Sequence, residues 1–364
     1  MSGGRVAARM QAWRVHAYGG ELRLESARVP ALRAPDDVLV AVRAAALNPL
    51  DVGMVGGYGR RVLNTLRALE GGGVEFPLVP GRDFAGEVVR AGPAARLRPG
   101  DRAWGVLPPH RPGALAQFVL VSDRWAGPAP RSLDVRRAGG TLYAALSACA
   151  ALRAAGLWPA AAGGAEGAGG ARVLLLGLGG VGQAALQLLR HVGAEVVVGC
   201  APDQTERALA LGAALALDRR APDYERRLEE SGPYAAVLDA AGRGGAEAGA
   251  RRWRFARYVT LTSPLLRDTD EHGLAGGALA AAAALLRHEL AAAPAASSAC
   301  PPRVRWAFFG PRAEDVERLR RLADGGELAV HVERAFPWEE AAEALAQAAR
   351  GHARGKIVVD VAPA

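Results

Sequence analysis

The residues best suited to chemistry in this chain are three glycines. Gly177, Gly179 and Gly182 follow an apolar run that begins at Val173, and the helix-forming stretch Gln183 to His191 comes directly after them. An apolar strand, a turn tight enough to require glycine and a helix whose first N–H groups are free together make a cradle for a pyrophosphate. The spacing alone also fits a glycine-rich turn that binds nothing, but a second apolar strand, Glu195 to Gly199, completes the unit and favours a dinucleotide. NAD-selective sites carry an acidic side chain at the end of that second strand, and such a group repels a 2′-phosphate. Here the position is Cys200-Ala201, with no carboxylate before Asp203, so the pattern predicts NADPH over NADH.

Composition narrows the remaining choices. The formal charge of +8 raises the question of a polyanionic partner, but the arginines are scattered and no aromatic-interleaved basic patch occurs, which argues against nucleic acid. Within the 45 basic residues Lys356 is the sole lysine, and Asn48 and Asn64 are the only asparagines. Such rare residues mark places to examine. The weakly polar stretch Leu274 to Leu286 falls short of the roughly 20 residues a bilayer span needs. Cys149, Cys200 and Cys300 are far apart and odd in number, which suits a reducing compartment rather than a disulfide framework. Met1 to Gln11 carries Arg5, Arg9 and no acid, and reads either as the stump of a mitochondrial presequence or as an unstructured tail.

The elements that must position these residues follow from periodicity. A chain of 364 residues is long for one core, and about 170 residues precede the glycine turn, so a separate domain must fold ahead of it. From Trp13 to Val121 short β-like runs recur between Pro-Gly, Gly-Gly and Pro-Pro turns, which predicts a small, mostly antiparallel β domain. Ser132 to Arg153 reads as a helical pair and Ala155 to Ala171 as a low-complexity loop. From Gly170 to Leu261 strands and helices alternate, as in a doubly wound parallel sheet. Gly276 to Ser298 reads as an alanine-rich helix that becomes irregular. The strands Val304–Phe309 and Lys356–Val361 then flank helices at Ala313–Ala323 and Trp338–Arg350.

Several short motifs stand in a fixed order along this frame. They are Ala46–Asp51 (ALNPLD), Pro80–Gly86 (PGRDFAG), Pro99-Gly-Asp101, Gly113–Phe118 (GALAQF), Leu146-Ser-Ala148, the glycine turn, Leu211-Gly-Ala213 and Gly355-Lys356. Singly each is a common turn; in this order they resemble the medium-chain dehydrogenase/reductase superfamily. The resemblance implies an α/β fold with a GroES-like β domain over residues 13–143 plus 304–364, a Rossmann domain over 144–303, and a tail at 1–12. It places nicotinamide and substrate between the domains. Zinc-dependent members use a cysteine near the position of Asn48, a His-Glu pair at Arg82-Asp83 and a four-cysteine cluster, none of which this chain has. It therefore resembles the zinc-independent quinone oxidoreductase branch. Asn48–Gly59, Gln117–Ser122, Arg257–Leu266, Arg305–Phe309 (RWAFF) and Gly351–Lys356 (GHARGK) are similar to a mitochondrial NADPH oxidoreductase subgroup.

That resemblance implies hydride transfer from NADPH to a quinone, enone or other electron-poor carbonyl, a link to ubiquinone metabolism, and a mitochondrial matrix address, or a cytoplasmic one if the N-terminus is native and uncleaved. It also implies a homodimer and a mitochondrial or reticulon-type protein partner. The catalytic candidates are Asn48, an amide able to orient a ribose or carbonyl, Asp51, and Tyr58, a phenol able to donate to a developing oxyanion. The cofactor candidates are Gly177, Gly179, Gly180, Val181, Gly182, Ala201, Arg219, Leu261, Phe308, His352, Ala353, Arg354 and Lys356. Arg219 stands where the family has tyrosine and can fork onto a 2′-phosphate. No metal ligand is expected. The glycine turn is one residue shorter than the family pattern, Ala201 replaces a serine, and Ala240 replaces an asparagine. These losses motivate an alternative: a nucleotide-binding interaction or assembly protein with little turnover.

Overall fold

The N-terminal part of the chain folds as the β-rich body that its turn spacing predicts. The computed structural model describes residues 8–70, 74–159, 169–293, 303–351 and 353–363. The chain divides into two units, Met1–Tyr143 with Pro311–Ala364, and Ala144–Gly310. In the first unit β1 (Arg9–Arg14) and β2 (Arg23–Arg28) pair antiparallel as a small sheet of their own. Residues 9–12, expected in the tail, are thus strand: Arg9 pairs with Arg28, and Ala12 is fully buried. The long β3 (Asp37–Leu47) is buried along almost its whole length, which is why it reads as a continuous apolar run.

Two helices follow β3 in a stretch read from sequence as part of a β-rich domain. They are α1 (Pro49–Val55), with Asn48 extended at its N-cap and proline in its first turn, and α2 (Arg60–Leu69). Both are short and hidden among glycines. The chain continues through β4 (Asp83–Ala91), β5 (Arg102–Val106), β6 (Phe118–Ser122) and β7 (Ala126–Pro128). Antiparallel pairing joins β3 to β4 and β6, β4 to β5, and β5 to β7. A single helix, α3 (Val135–Ala154), replaces the expected pair. Gly139 and Gly140 lie inside it and serve close approach. A Cβ at Gly139 would lie 3.0 Å from the backbone oxygen and Cβ of Ala44, and one at Gly140 would lie 3.3 Å from Cβ of Lys356.

The second unit alternates strand and helix: β8 (Arg172–Leu176), α4 (Gly180–His191), β9 (Glu195–Cys200), α5 (Thr205–Ala210), β10 (Leu215–Asp218), α6 (Tyr224–Glu230), β11 (Ala236–Asp239), α7 (Glu247–Ala250) and β12 (Arg257–Thr260). Then come α8 (Leu265–Ala292), broken at Gly273, and β13 (Arg303–Trp306). All six strands are parallel, in the order β10-β9-β8-β11-β12-β13. This is the doubly wound order, with its switch point between β8 and β11. Leu174, Val197, Leu217, Val237, Tyr258 and Val304 share one core with Trp253 and Phe255. The domain boundary drawn from sequence needs correction here. Residues 304–306 were grouped with the β domain, yet Val304 pairs with Tyr258 and is buried in the core of the parallel sheet.

The chain then returns to the first unit through α9 (Ala313–Asp324), β14 (Val332–Phe336), α10 (Ala341–Arg350) and β15 (Lys356–Asp360). β15 pairs parallel with β14 and antiparallel with β3, matching Ile357 to Leu47 and Asp360 to Ala44. The pairing has a chemical consequence: the start of β15 lies beside the end of β3, so Lys356 comes next to Asn48.

Candidate functional site

In the second unit the cofactor candidates gather at one edge of the parallel sheet. Gly177 to Gly182 follow β8, Ala201 follows β9, Arg219 follows β10, Leu261 follows β12 and Phe308 lies two residues beyond β13. Each sits beyond the carboxyl end of its strand, where ligands bind in open α/β sheets. Gly177 holds φ +91, and a Cβ on it would lie 3.1 Å from the backbone of Ala241, in the loop across the switch point. A Cβ on Gly182 would come within 2.1 Å of the Gly177 carbonyl oxygen. The turn therefore tolerates no side chain at that position. Gly179 caps α4 without any side-chain hydrogen bond, and no acid occupies the first turn, so Gly180, Val181 and Gly182 present free N–H groups and the positive end of the helix.

The loop after β11 is shaped by a residue that sequence reasoning passed over. Asp239 is buried, and its carboxylate accepts the N–H groups of Ala241, Arg243 and Gly244 and the hydroxyl of Thr260. Arg219 donates its backbone N–H to the Cys200 carbonyl, and its guanidinium makes no ion pair among the described residues. Burial pushes the Cys200 thiol up to about 11, so it stays protonated at neutral pH. Ala201 is buried, Leu261 half-buried and Phe308 exposed.

In the first unit three side chains meet in the interior. Lys356 Nζ donates to Asn48 Oδ1 at 2.5 Å and to Asp83 Oδ2 at 2.8 Å, while Asn48 Nδ2 donates to the same Asp83 oxygen at 3.3 Å. The ammonium can only donate and the carboxylate can only accept, so the network dictates which way the Asn48 amide faces. The second oxygen of Asp83 accepts the backbone N–H of Tyr143 at 2.6 Å. Burial raises the Asp83 carboxyl above its ordinary range, and the ammonium of Lys356 pulls against that rise. Lys356 is a cofactor candidate from sequence; in the structure its Nζ is anchored on two sides, by Asn48 and Asp83, within the β-rich unit.

Asp51 is committed to the fold. Rather than facing a ligand, it is 1 % exposed, and its oxygens accept the N–H groups of Asn48 and Gly81 and Nε of Arg82. Arg82 is fully buried and gives its other donors to the carbonyls of Val79, Pro108 and Arg111. This pair staples loops together. Tyr58 is part-exposed behind α1, its ring against Gly53 and its N–H on the Gly53 carbonyl. Ala353 and Arg354 are half-buried, with the Arg354 N–H on Glu333, and His352 lies outside the described residues. Sequence reasoning had also missed Asp83 as a working group. Its only local signal is a carboxylate at the start of a strand whose first four residues are buried.

Residues 34–131 match the alcohol dehydrogenase GroES-like domain, and residues 211–359 match a model described as zinc-binding dehydrogenase. A Drosophila melanogaster protein named NAD(P)H oxidoreductase RTN4IP1, mitochondrial, is 37 % identical over 98 % of this chain and 87 % of its own length. The chain belongs to the medium-chain dehydrogenase/reductase superfamily. Its fold is shared with the quinone oxidoreductase of Coxiella burnetii, at a TM-score of 0.76, 24 % identity, and coverage of 97 % of this chain and 100 % of that one. It is shared too with the crotonyl-CoA carboxylase/reductase AntE, solved in complex with NADP, at a TM-score of 0.74 and 23 % identity over 98 % and 96 % of the two chains.

One superfamily feature does not fit. Zinc needs thiolate, imidazole or carboxylate ligands around an open position. At the corresponding place this chain offers an amide, an arginine committed to loop carbonyls and a carboxylate already neutralised by an ammonium. Among the described residues no group of three His, Cys, Asp or Glu side chains could hold a metal.

Proposed function

We propose that this chain is a zinc-independent, NADPH-dependent reductase that delivers hydride to a quinone, enone or similar electron-poor carbonyl. The observation that carries the reading is the turn after β8, where Gly182 admits no Cβ and the uncapped first turn of α4 offers its N–H groups to a diphosphate. Arg219, beside the end of β9 and without an ion-pair partner among the described residues, would take the 2′-phosphate through two of its N–H donors. Bound NADPH supplies the hydride; the protein binds, orients and excludes water. The names of the full-length relatives support both the chemistry and a mitochondrial location. Among the described residues no helix is long and apolar enough to cross a membrane. A role in ubiquinone metabolism is part of the proposal.

Titration with NADPH and NADH, followed by nicotinamide fluorescence, tests the cofactor, and reduction of short-chain quinones and 2-alkenals tests the reaction. We expect tighter binding of NADPH and turnover well above the rate without enzyme. Tighter binding of NADH overturns the selectivity argument. Binding without turnover returns the alternative, an interaction or assembly protein. A Caenorhabditis elegans relative, 31 % identical over 96 % of this chain and 94 % of its own length, is named Reticulon-4-interacting protein 1, mitochondrial, which supports that alternative.

A further inference from the structure

The misfit between the zinc-binding family model and this chain's donors points to what replaces the metal. An ammonium has three N–H donors, and Lys356 spends two of them, on Asn48 Oδ1 and Asp83 Oδ2. A side-chain amide has two N–H donors, and Asn48 spends one, on the same Asp83 oxygen. Each side chain therefore keeps one N–H with no acceptor among the described residues. The two nitrogens are neighbours, because both lie within hydrogen-bond distance of one oxygen atom. A buried donor left unsatisfied is costly, so the pair is primed for an incoming oxygen.

We propose that Lys356 Nζ and Asn48 Nδ2 form a two-donor oxyanion site that does by fixed charge what zinc does by Lewis acidity in metal-dependent members of the superfamily. The ligand class is a carbonyl or quinone oxygen that gains negative charge, or a phenolate that already carries it. Asp83 is the positioning residue: it holds both nitrogens on one oxygen and is itself fixed by the Tyr143 N–H. The inference rests on the proposed reduction. NADPH, when bound, would supply hydride to the substrate carbon; Lys356 Nζ and Asn48 Nδ2 would hold the electron pair displaced onto the carbonyl oxygen, and solvent would supply the final proton. Preorganised donors aimed at such an oxygen contribute strongly to catalysis, because they need no reorganisation as charge develops.

Lys356→Met alone leaves a buried carboxylate unpaired and can fail to fold, so the deciding protein is the charge-neutral double variant Lys356→Met/Asp83→Asn. If the pair merely fills space, the double variant recovers wild-type behaviour. If the ammonium acts on oxygen, the double variant folds and binds NADPH within about threefold of wild type while kcat stays down by roughly 100-fold or more. Recovery of kcat to near wild type overturns the proposal. A readout independent of turnover uses 4-nitrophenol on the NADP-loaded protein, followed by its phenolate absorbance. The bound phenol should ionise about one pH unit lower in wild type than in the double variant. Equal ionisation in both, or no binding to wild type, overturns the proposal. Absence of turnover in wild type, with the Lys356-dependent shift intact, sinks the reductase reading and leaves the oxyanion site standing.

Discussion

The turn after β8 and the cluster of Asn48, Asp83 and Lys356 are built on opposite plans. The first is made of backbone within six consecutive residues, Gly177 to Gly182, and works because side chains are missing. The second is made of side chains 35 and 308 residues from Asn48 in sequence and works because opposite charges balance. The contrast predicts different modes of failure. A backbone cradle is blocked by adding atoms, and the sheet beneath it survives. A buried ion pair is broken by removing a partner, and the charge left behind then works against the fold.

The largest effect should follow from breaking the buried pair. Lys356→Met leaves Asp83 fully buried with no countercharge, and removing one partner of such a pair costs about 3–5 kcal/mol. The penalty should depend on pH with a definite sign. Burial already raises the Asp83 carboxyl, and without the ammonium it rises further. A carboxyl whose folded pKa lies above its unfolded value of about 3.9 favours folding below that value, and the favour is lost as pH rises through the folded pKa. Denaturant unfolding of the variant and wild type at pH 5 and pH 8 should thus show a larger gap at pH 8. A gap that shrinks towards alkaline pH refutes this account of the cluster.

Next comes the cradle. Gly182→Ala puts a methyl group 2.1 Å from a backbone oxygen, so either α4 or the turn must move. Because the N–H groups are useful only in place, we expect NADPH affinity to fall by about 100-fold, close to 2.7 kcal/mol, with much less loss of stability than in Lys356→Met. Fluorescence titration and thermal unfolding of the same sample separate the two. Wild-type affinity in a folded Gly182→Ala protein contradicts the reading of this turn as a phosphate cradle.

The same contrast explains what could be read from the sequence. The parallel sheet and its glycine turn were legible because each strand–turn–helix unit is local and each apolar run is continuous, whereas the strand order came only from the structure. The short helices α1 and α2 were not: α1 is seven residues that begin on Asn-Pro and lie among glycines, which reads as a turn, and α2 went unread although its apolar residues recur on one face. The single helix α3 was read as a pair; the Gly139 and Gly140 inside it are placed for close packing on Ala44 and Lys356, partners that the local sequence does not show. Asn48 and Lys356 stood out by rarity, but rarity could not say that they touch. Asp83 and the inward turn of Asp51 depend on strand pairing across the sheet, which no local pattern records.

Arg219 lies between the two plans: it is a side chain working at a backbone-built edge. It is half-buried beside the end of β9, has no ion-pair partner among the described residues, and faces no carboxylate at Cys200-Ala201. If its fork meets the 2′-phosphate, Arg219→Ala should weaken NADPH by about tenfold, near 1.4 kcal/mol, and leave NADH unchanged. Because the site is part-exposed, added salt should shrink the wild-type preference and barely affect the variant. Arg219→Lys should recover only part of the loss, since a point charge cannot form the paired contacts of a guanidinium. An equal loss for both nucleotides would move Arg219 from phosphate recognition to support of the loop, and selectivity would then rest only on the missing carboxylate after β9.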